Sequence, residues 1–371
     1  MRIAYWSQSQ IPSRFANAVH VMKMCAAFAS LGHGVSLFIP AIRTEVEKND
    51  PWKYYGVAPC FDLHRIPVAN RFSRLLFGST ANRFQTAAAR INADLIYARC
   101  NTLDAMSLDT LMRPFVLELH VMPKSIESVK RCLARPFLQR LVVISQGLRD
   151  DLVKAVPEAD SLLVVAHDGA DPEPPTHAPL GAGAAGRLQI GYVGNLYAGR
   201  GIDLICELAQ RCSWADFHFI GGSPNDVEKW TVVAKSLGGS NVVFHGYCEP
   251  ASCATARSKC DVLLAPYQEE TMLSDGVTNT VRWMSPLKMF EYMGSGRAIV
   301  CSDLPALREV VVDGVHALLC PASDIASWTD ALTRLRDCAA LRTRLGTNAR
   351  ELLCREFTWK HRAQKVLAGL K

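Results

Sequence analysis

The sequence lacks several patterns that would place it at once in a class of proteins. None of its 371 residues belongs to an uninterrupted run of eighteen or more apolar residues, so no transmembrane helix is expected. The opening residues pass from a short apolar run into polar ones, without the longer apolar stretch of a secretory signal. We therefore expect a cytoplasmic protein.

Patterns that bind metals or cofactors are also missing. The 13 cysteines are scattered, with no C-x-x-C pair, whereas structural zinc sites usually show close paired spacing. Buried, reduced thiols are the expected alternative. No D-x-D carboxylate pair occurs, and no G-x-G-x-x-G fingerprint follows either opening strand, which argues against a nicotinamide-dependent oxidoreductase. We expect neither a metal nor a cofactor.

Positive charge is unevenly distributed along the chain. Residues 1–170 contain 20 Lys and Arg against 14 Asp and Glu, whereas residues 171–371 contain 21 of each, so the first part carries the whole net charge of +6. A basic half suits nucleic acid, anionic lipid or a phosphorylated substrate. A solvated basic face without any partner is an equally open interpretation.

Short apolar runs alternate with helical stretches in both halves of the chain. The runs are RIAYW, VSLFI, LIYA, FVLEL and LVVI in the first half, and LQIGYVG, ADFHFIGG, NVVFHGY, DVLLAPY and RAIVCSD in the second. Such alternation predicts parallel sheets covered on both faces. Residues 171–187, rich in proline, glycine and alanine, predict a linker. The sequence thus predicts an α/β protein with two doubly wound, Rossmann-like domains facing a cleft.

The stretch SPLKMFEYMGSG has the features of an anion-binding helix start. Ser285 suits the N-cap and Pro286 the first helical position, and free N–H groups at such an end attract phosphate. Lys288 lies in the first turn, where a cation is unfavourable unless an anion is near. Glu291 follows three residues later on the same face, so an ordinary surface salt pair between Lys288 and Glu291 is the alternative.

A second stretch, GYVGNLYAGRG, predicts a strand that ends at Gly194 and a turn before a helix. Arg200 lies between two glycines of this turn. Glycines let the backbone approach a phosphate, and arginine binds phosphate bidentately. On its own the pattern is common, but it gains weight from the anion site predicted in the same half.

These stretches resemble the retaining GT-B glycosyltransferases of family 4, and the resemblance covers nearly the whole chain. It rests on SPLKMFEYMGSGRAIVCSDLPALREVVVDGVHALLCP, the glycine turn, FVLELHVMP, LVVISQGLRDDL, VVAHDGADP and FTWKHRAQKVL, which occur in the family's order. It implies an acceptor-binding domain (1–170), the linker (171–187), a nucleotide-sugar-binding domain (188–354) and a closing helix that crosses back (355–371).

The resemblance also implies roles for individual residues of the second domain. Glu291 matches the second glutamate of the family's E-x7-E motif, which holds the ribose hydroxyls, whereas Trp283 replaces the first. Arg200 takes the place of a family lysine in the diphosphate loop, and Asn195 that of an arginine. The expected donor-binding residues are Gly194, Asn195, Arg200, Tyr247, Cys248, Pro286, Leu287, Lys288 and Glu291.

In the first domain the resemblance gives His120 the place of the family's active-site histidine. Asn17 and His20 begin a helix near the expected acceptor, although a structural role for His20 is also open. Glu118, two residues before His120, is expected to face the opposite side of the sheet. The expected catalytic residues are His120, Arg200 and Lys288.

The activity implied is that of a metal-independent, retaining hexosyltransferase. Its donor is a nucleoside diphosphate sugar, with UDP or GDP, and no nucleic acid is involved. The expected acceptor is anionic or lipid-linked, as in the synthesis of polysaccharide, lipopolysaccharide or lipid-linked oligosaccharide. A soluble natural-product acceptor, a sugar-nucleotide epimerase, a sugar phosphorylase and a non-catalytic sugar-nucleotide-binding subunit stay open as alternatives.

A peripheral contact with the inner membrane face is a further expectation. The stretch NRFSRLLFGSTANRF combines Arg71, Arg74 and Arg83 with apolar side chains such as Phe77. It either enters a membrane interface or forms a helix packed on the first domain, and both interpretations are open.

Overall fold

The computed structural model describes residues 1–68, 80–100, 108, 111–174, 186–270 and 279–370. The chain forms two compact units. Unit 1 comprises Met1–Asp168 together with Trp359–Lys371, and unit 2 comprises Gly169–Thr358. Part of the expected linker (175–185) and most of the stretch considered for membrane contact (69–79), including Arg71, Arg74 and Phe77, lie outside the described residues.

Unit 1 is built on a seven-stranded sheet in which every pairing is parallel. Its strands are β1 (Arg2–Ser7), β2 (Gly34–Pro40), β3 (Asp62–Ile66), β4 (Leu95–Arg99), β5 (Phe115–Leu119), β6 (Leu138–Val143) and β7 (Leu163–Val165). The spatial order is β3-β2-β1-β4-β5-β6-β7. The chain reverses its direction across the sheet between β1 and β4, the point where such sheets bind ligands at the carboxyl ends of their strands.

Helices cover this sheet. They are α1 (Ala16–Ser30), α2 (Pro51–Tyr55), α3 (Thr80–Arg90), α4 (Ile126–Leu133), α5 (Gln146–Ala155), a 3₁₀ turn (Pro157–Leu162) and, from the chain's last residues, the C-terminal helix (Trp359–Leu367). The C-terminal helix packs against α1. This contact explains why α1 is apolar around most of its circumference, with Val21, Met24 and Phe28 all buried.

Unit 2 repeats the design with six parallel strands. They are β8 (Leu188–Val193), β9 (Ala215–Ile220), β10 (Val242–Gly246), β11 (Val262–Ala265), β12 (Ala298–Ser302) and β13 (Leu318–Cys320), in the order β10-β9-β8-β11-β12-β13. The switch point of this sheet lies between β8 and β11, so the loops that follow these two strands are where a ligand is expected.

The helices of unit 2 alternate with its strands. They are α6 (Ile202–Arg211), α7 (Pro224–Ser236), α8 (Pro250–Ser258), α9 (Leu287–Ser295), α10 (Pro305–Arg308), α11 (Ile325–Asp337) and α12 (Ala339–Leu352), which runs into a π-helical turn (Leu353–Phe357). Each connection returns the chain to the end of the sheet at which the strands begin, as parallel pairing requires.

Alternate residues of the central strands in unit 2 supply two separate cores. On β11, Val262 and Leu264 pack into the cluster that contains Trp328, whereas Leu263 and Ala265 pack into the cluster on the other face of the sheet. Successive side chains of a strand point to opposite faces, so a continuous apolar run is what a sheet covered on both sides needs. Both sheets confirm the predicted α/β, doubly wound architecture.

Some elements differ from the sequence prediction. Strands β3 and β7 were not predicted, since DLHRI is largely polar and LVV is only three residues long; both lie at the edges of their sheet. In the described residues, no helix is both long enough and apolar enough to cross a membrane.

Candidate functional site

The loop that follows β8 depends on glycine at several positions. Gly194, Gly199 and Gly201 have φ angles of 149°, 76° and 67°, in the region where residues with a side chain are strained. A Cβ on Gly201 would lie 2.1 Å from the Pro266 carbonyl oxygen. The loop is therefore pressed against the residues that follow β11, which places it at the switch point of the sheet in unit 2.

Two cations meet beside this loop. Lys288 Nζ lies 3.6 Å from the centre of the Tyr192 ring and 5.2 Å from that of Tyr267, and the guanidinium carbon of Arg200 lies 5.1 Å from the Tyr267 centre. A Cβ on Gly194 would approach Lys288 Cε to 3.0 Å. Tyrosine faces and the glycine backbone thus hold both charged groups in the positions that the sequence predicts for a diphosphate site.

Neither cation forms an ion pair in the part of the chain that the structure describes. In the described part of unit 2, no carboxylate is within ion-pair distance of Arg200 or Lys288. Burial lowers the pKa of Lys288 well below its usual value, and Arg200 lowers it further, while Glu291 opposes them only partly. A half-buried ammonium next to a guanidinium is unfavourable in the empty protein, so an anion bound here would be stabilised by both groups.

Helix α9 begins one residue later than predicted. Its N-cap is Pro286, in an extended conformation, and Leu287 is the first helical residue, whereas Ser285 was predicted as the cap. Ser285 is buried, with only 5% of its surface exposed. The Val193 N–H donates to the Tyr292 hydroxyl oxygen over 2.8 Å, which fastens α9 to the end of β8. The N-terminal turn of α9, with its free N–H groups, is thus held beside the glycine loop.

Glu291 does not form the surface salt pair with Lys288 that was the alternative to a functional role. Its Oε2 instead accepts a hydrogen bond from Arg257 Nη1 over 3.1 Å. Arg257 also contacts Glu173, with its Nε 2.7 Å from Oε1. Glu291 keeps 31% of its side chain exposed, so a carboxylate remains available on the same helix as Lys288.

The other residues expected at the donor site lie along the same edge of the sheet. The Asn195 carbonyl accepts from the Tyr192 hydroxyl over 2.7 Å. The Gly221 N–H donates to the Gly246 carbonyl over 2.7 Å, which holds the segment leading to Tyr247 and Cys248 beside the end of β9. A hydrogen bond from Cys253 lowers the pKa of Cys248 to about 7.

The candidate residues of unit 1 belong to a buried network centred on Glu118. Its Oε2 accepts a hydrogen bond from Tyr97 and lies 3.2 Å from Arg362 Nη1. Its Oε1 lies 2.5 Å from His120 Nε2 and 2.9 Å from His20 Nε2. Burial opposes ionisation of this carboxyl, but Arg362 and the two histidines hold its pKa well below the usual value. Glu118 is therefore an anion inside the protein.

The expectation that Glu118 faces away from His120 is wrong. Residues two apart in a strand share a face, and His120 directly follows β5, so both side chains project toward the same network. As a result, Glu118, whose Oε1 lies 2.5 Å from His120 Nε2, was not predicted to contact His120.

His120 is a neutral imidazole. Burial lowers its pKa to about 4, helped by the nearby Arg99 and opposed by Glu118. Nε2 faces both Glu118 Oε1 at 2.5 Å and Arg99 Nε at 3.1 Å, and it cannot donate to one while accepting from the other. The shorter contact is to an ionised carboxylate, which needs a donor. Nε2 therefore carries the proton, and Nδ1 is left as a hydrogen-bond acceptor.

The two residues expected to bind the acceptor lie in different surroundings. His20 is only 1% exposed; its Nδ1 is 2.9 Å from Asp168 Oδ1, and its ring meets Trp359 edge-on at 5.3 Å. Asn17, one turn earlier on α1, is half-buried, and its Oδ1 is buried without a hydrogen-bond partner. His20 is thus part of the interior network, whereas Asn17 has an unused acceptor atom.

Residues 187–337 match the family model of the group 1 glycosyl transferases. That segment includes the glycine loop, Arg200, Lys288 and Glu291. Unit 2 therefore matches the group 1 glycosyl transferases over 151 of the 371 residues.

Known relatives extend the match beyond this segment. The chain is 25% identical over 353 residues to a phosphatidyl-myo-inositol mannosyltransferase of Mycolicibacterium smegmatis, an alignment that covers 92% of this chain and 86% of that protein. A D-inositol 3-phosphate glycosyltransferase of Nocardioides sp. is 36% identical over 77 residues, 21% of this chain and 17% of the relative.

The fold is shared with solved structures. Anabaena Alr3699/HepE, crystallised with UDP and glucose, superimposes with a TM-score of 0.72 at 16% identity, over 100% of this chain and 99% of that one. At this identity the likeness concerns the fold alone.

One cluster of unit 1 has the composition of a metal site but not the charge. In the described residues, ligand atoms of His20, His120 and Asp168 lie within 4.8 Å of one another. Each is already engaged inside the network, and Arg362 and Arg99 stand beside the carboxylates Glu118 and Asp168. Two guanidiniums balance two carboxylates, so no negative charge remains to attract a cation.

Sequence reasoning missed the residues that support the site. Asp168 lies 50 residues after Glu118, and Arg362 lies 194 residues after Asp168. No local pattern connects these three residues. Arg257 and Glu173 are likewise distant from Glu291. A hint was present for Arg362, since FTWKHRAQKVL has one basic residue on the face that otherwise carries Trp359, Ala363 and Val366, all buried.

Proposed function

We propose that this glycosyltransferase moves a sugar from a nucleoside diphosphate sugar to a hydroxyl acceptor, with retention of the anomeric configuration and without a metal ion. The observation that carries the proposal is the pair of cations, Arg200 and Lys288, which lie beside the start of α9 and have no carboxylate partner among the described residues. Such a site is matched to a diphosphate leaving group.

The cations act on the charge that develops during transfer. As the bond to the anomeric carbon breaks, negative charge grows on the leaving diphosphate, and fixed cations and N–H groups aimed at it lower the barrier. Arg200 offers a planar fork of donors, and Lys288 a point charge. The free N–H groups at the start of α9 supply a third contribution.

Glu291 binds the ribose of the donor in this proposal. Its Oε1 has no hydrogen-bond partner in the described residues, and it lies on the helix that begins at the diphosphate site. The nucleotide of the donor is UDP or GDP in this proposal.

Calorimetric titration of UDP and GDP tests the donor site directly. Replacing Glu291 by alanine should weaken binding of the better nucleotide by about 1.5–3 kcal/mol, the range for hydrogen bonds to a charged group. Unchanged affinity in a folded Glu291→Ala variant would remove the ribose role. Failure of both nucleotides to bind the wild-type protein would remove the donor proposal itself.

His120 orients the donor sugar as a neutral hydrogen-bonding group. Its buried, neutral state at neutral pH supports a role in polar contact rather than as a general acid, and no enzymic nucleophile is required. Turnover of UDP sugars with hydroxyl acceptors, followed by NMR of the anomeric proton of the product, tests retention. Hydrolysis or epimerisation without transfer would favour the epimerase, whereas binding without turnover would favour a non-catalytic subunit.

Metal independence rests on the same cations. Because Arg200 and Lys288 provide positive charge where metal-dependent enzymes place a divalent ion, addition of a chelator should leave the transfer rate unchanged. Loss of activity in the chelator that returns with magnesium or manganese would contradict this part of the proposal.

The acceptor is an anionic, lipid-linked glycan intermediate of cell-surface glycan synthesis in this proposal. The excess charge of +6 in residues 1–170 supports it, as does the relative named as a phosphatidyl-myo-inositol mannosyltransferase. Each basic residue near an anionic membrane contributes about 1 kcal/mol. Sedimentation with anionic and neutral vesicles at low salt tests the association; equal, negligible binding to both would favour a soluble acceptor.

A further inference from the structure

Arg257 is a buried guanidinium shared by two carboxylates. It lies on α8 with 4% of its surface exposed. Nη2 is 2.5 Å and Nε 2.7 Å from Glu173 Oε1, and Nη1 is 3.1 Å from Glu291 Oε2. A buried guanidinium needs only one negative partner to be neutralised. The second carboxylate therefore adds a negative charge that is not needed to neutralise Arg257.

The two carboxylates differ in exposure. Glu173 is buried, with 9% of its side chain exposed, whereas 31% of the Glu291 side chain is exposed. Backbone bonding fixes Glu173, since its N–H donates to the Gly294 carbonyl over 3.1 Å. Glu173 thus neutralises Arg257 from within, and Arg257 in turn holds one oxygen of Glu291, which leaves Oε1 facing outward.

We infer that Arg257 is a positioning residue, which fixes the Glu291 carboxylate for recognition of the donor's ribose. The inference rests on the proposed function of Glu291. A free glutamate side chain has several rotamers, and restricting it to one of them costs conformational entropy. Arg257 makes that restriction part of the folded state, so binding the ribose diol does not have to supply it.

The experiment compares a ribose nucleotide with an analogue that has no diol. UDP or GDP, whichever binds the wild-type protein more tightly, and its 2′,3′-dideoxy counterpart are titrated calorimetrically into the wild type and four variants. The variants are Glu291→Gln, Arg257→Met, Arg257→Lys and, as matched control, Arg350→Met. Arg350 donates to the carbonyl of Gly294 at the other end of α9 and does not touch Glu291.

The wild type should prefer the ribose nucleotide by at least tenfold, about 1.4 kcal/mol. Glu291→Gln and Arg257→Met should both lose most of this preference, since one removes the charge and the other its support. Arg257→Lys should recover part of it, and Arg350→Met should keep it. Affinity for inorganic pyrophosphate should change by less than threefold in all variants, because Arg200 and Lys288 are untouched.

Two outcomes separate this inference from the function on which it rests. If the wild type binds both nucleotides equally, Glu291 does not read the ribose and both ideas fall. If the wild type discriminates, Glu291→Gln does not, and Arg257→Met still does, the positioning role alone is overturned. Should Arg257→Met fail to fold because Glu173 is left unpaired, the double variant Glu173→Gln/Arg257→Met removes the stranded charge and is judged by the same preference.

Discussion

Replacing Arg362 by leucine should destabilise unit 1 severely. The guanidinium is 3% exposed; its Nη1 lies 3.2 Å from Glu118 Oε2, its Nε donates to the His167 carbonyl over 3.0 Å, and it lies 3.9 Å from Asp168 Oδ1. Removing one partner of a buried ion pair costs about 3–5 kcal/mol. The upper part of that range is expected, because two buried carboxylates lose the same cation.

The loss should depend on pH in a defined direction. Burial pushes the pKa of Glu118 up, and Arg362 is the largest influence that pulls it down. A carboxyl with a lowered folded-state pKa stabilises the fold above its unfolded pKa, and this stability is lost as the pH falls through the folded pKa. Without Arg362 the pKa of Glu118 rises. The difference between wild type and variant should therefore be largest at neutral pH and shrink in acid, once Glu118 is protonated.

Urea denaturation from pH 8 to pH 5, with hydrogen exchange of β5 and the C-terminal helix to localise the effect, measures this difference. The matched control is Arg355→Leu, whose side chain is 64% exposed and pairs with Glu356, where little change is expected. Adding Glu118→Gln to the Arg362→Leu variant should restore part of the stability. A loss below about 1 kcal/mol at pH 7, far under the range for a buried pair, or a loss that does not vary with pH, would refute the reasoning.

Three further predictions concern unit 2. Removing either Arg200 or Lys288 by substitution with methionine should lower the transfer rate by about 10²–10³-fold, as for one lost electrostatic donor, with little change in the denaturation midpoint; near-wild-type rates in both variants would contradict it. Because burial lowers the pKa of Lys288 in the free protein and a bound diphosphate should raise it, nucleotide binding should take up protons. Calorimetry in buffers of different ionisation enthalpy would show this as a buffer-dependent enthalpy, absent in Lys288→Met. Cys248, whose pKa lies at about 7, should be alkylated by iodoacetamide with a half-maximal rate near that pH, ahead of Cys253, whose pKa is raised by its hydrogen bond to Cys248; mass spectrometry of the labelled peptides decides the order.

The fold could be predicted because its signal is local. Runs such as FVLEL and DVLLA are buried on both faces, and a strand between two layers of helices must be apolar at successive positions. Edge strands carry less of this signal: β3, DLHRI, is half exposed, and only its pairing with β2 makes it a strand.

The parts of the proposed anion site were similarly accessible to prediction, because they are short patterns. The glycines around Arg200 and the proline at the start of α9 are local requirements of the backbone, and Lys288 lies in the first turn of the same helix. The exact cap was missed because Pro286 itself adopts the extended N-cap conformation, which leaves Ser285 outside the helix. Local patterns do not fix such a boundary to a single residue.

The residues that support the site could not be predicted, because the pairing of buried charges in each unit depends on residues that are distant in the sequence. In unit 1 the carboxylates Glu118 and Asp168 are balanced by guanidiniums brought from distant parts of the chain, such as Arg362, so pairing depends on the complete tertiary structure. In the described part of unit 2 the cations Arg200 and Lys288 have no carboxylate within ion-pair distance, since Glu173 and Glu291 both contact Arg257. A folded protein tolerates an unpaired, half-buried cation only at a cost, and that cost is offset when an anionic ligand binds. The same uncompensated positive charge that costs free energy in unit 2 without an anionic ligand would thus favour the binding of a nucleoside diphosphate.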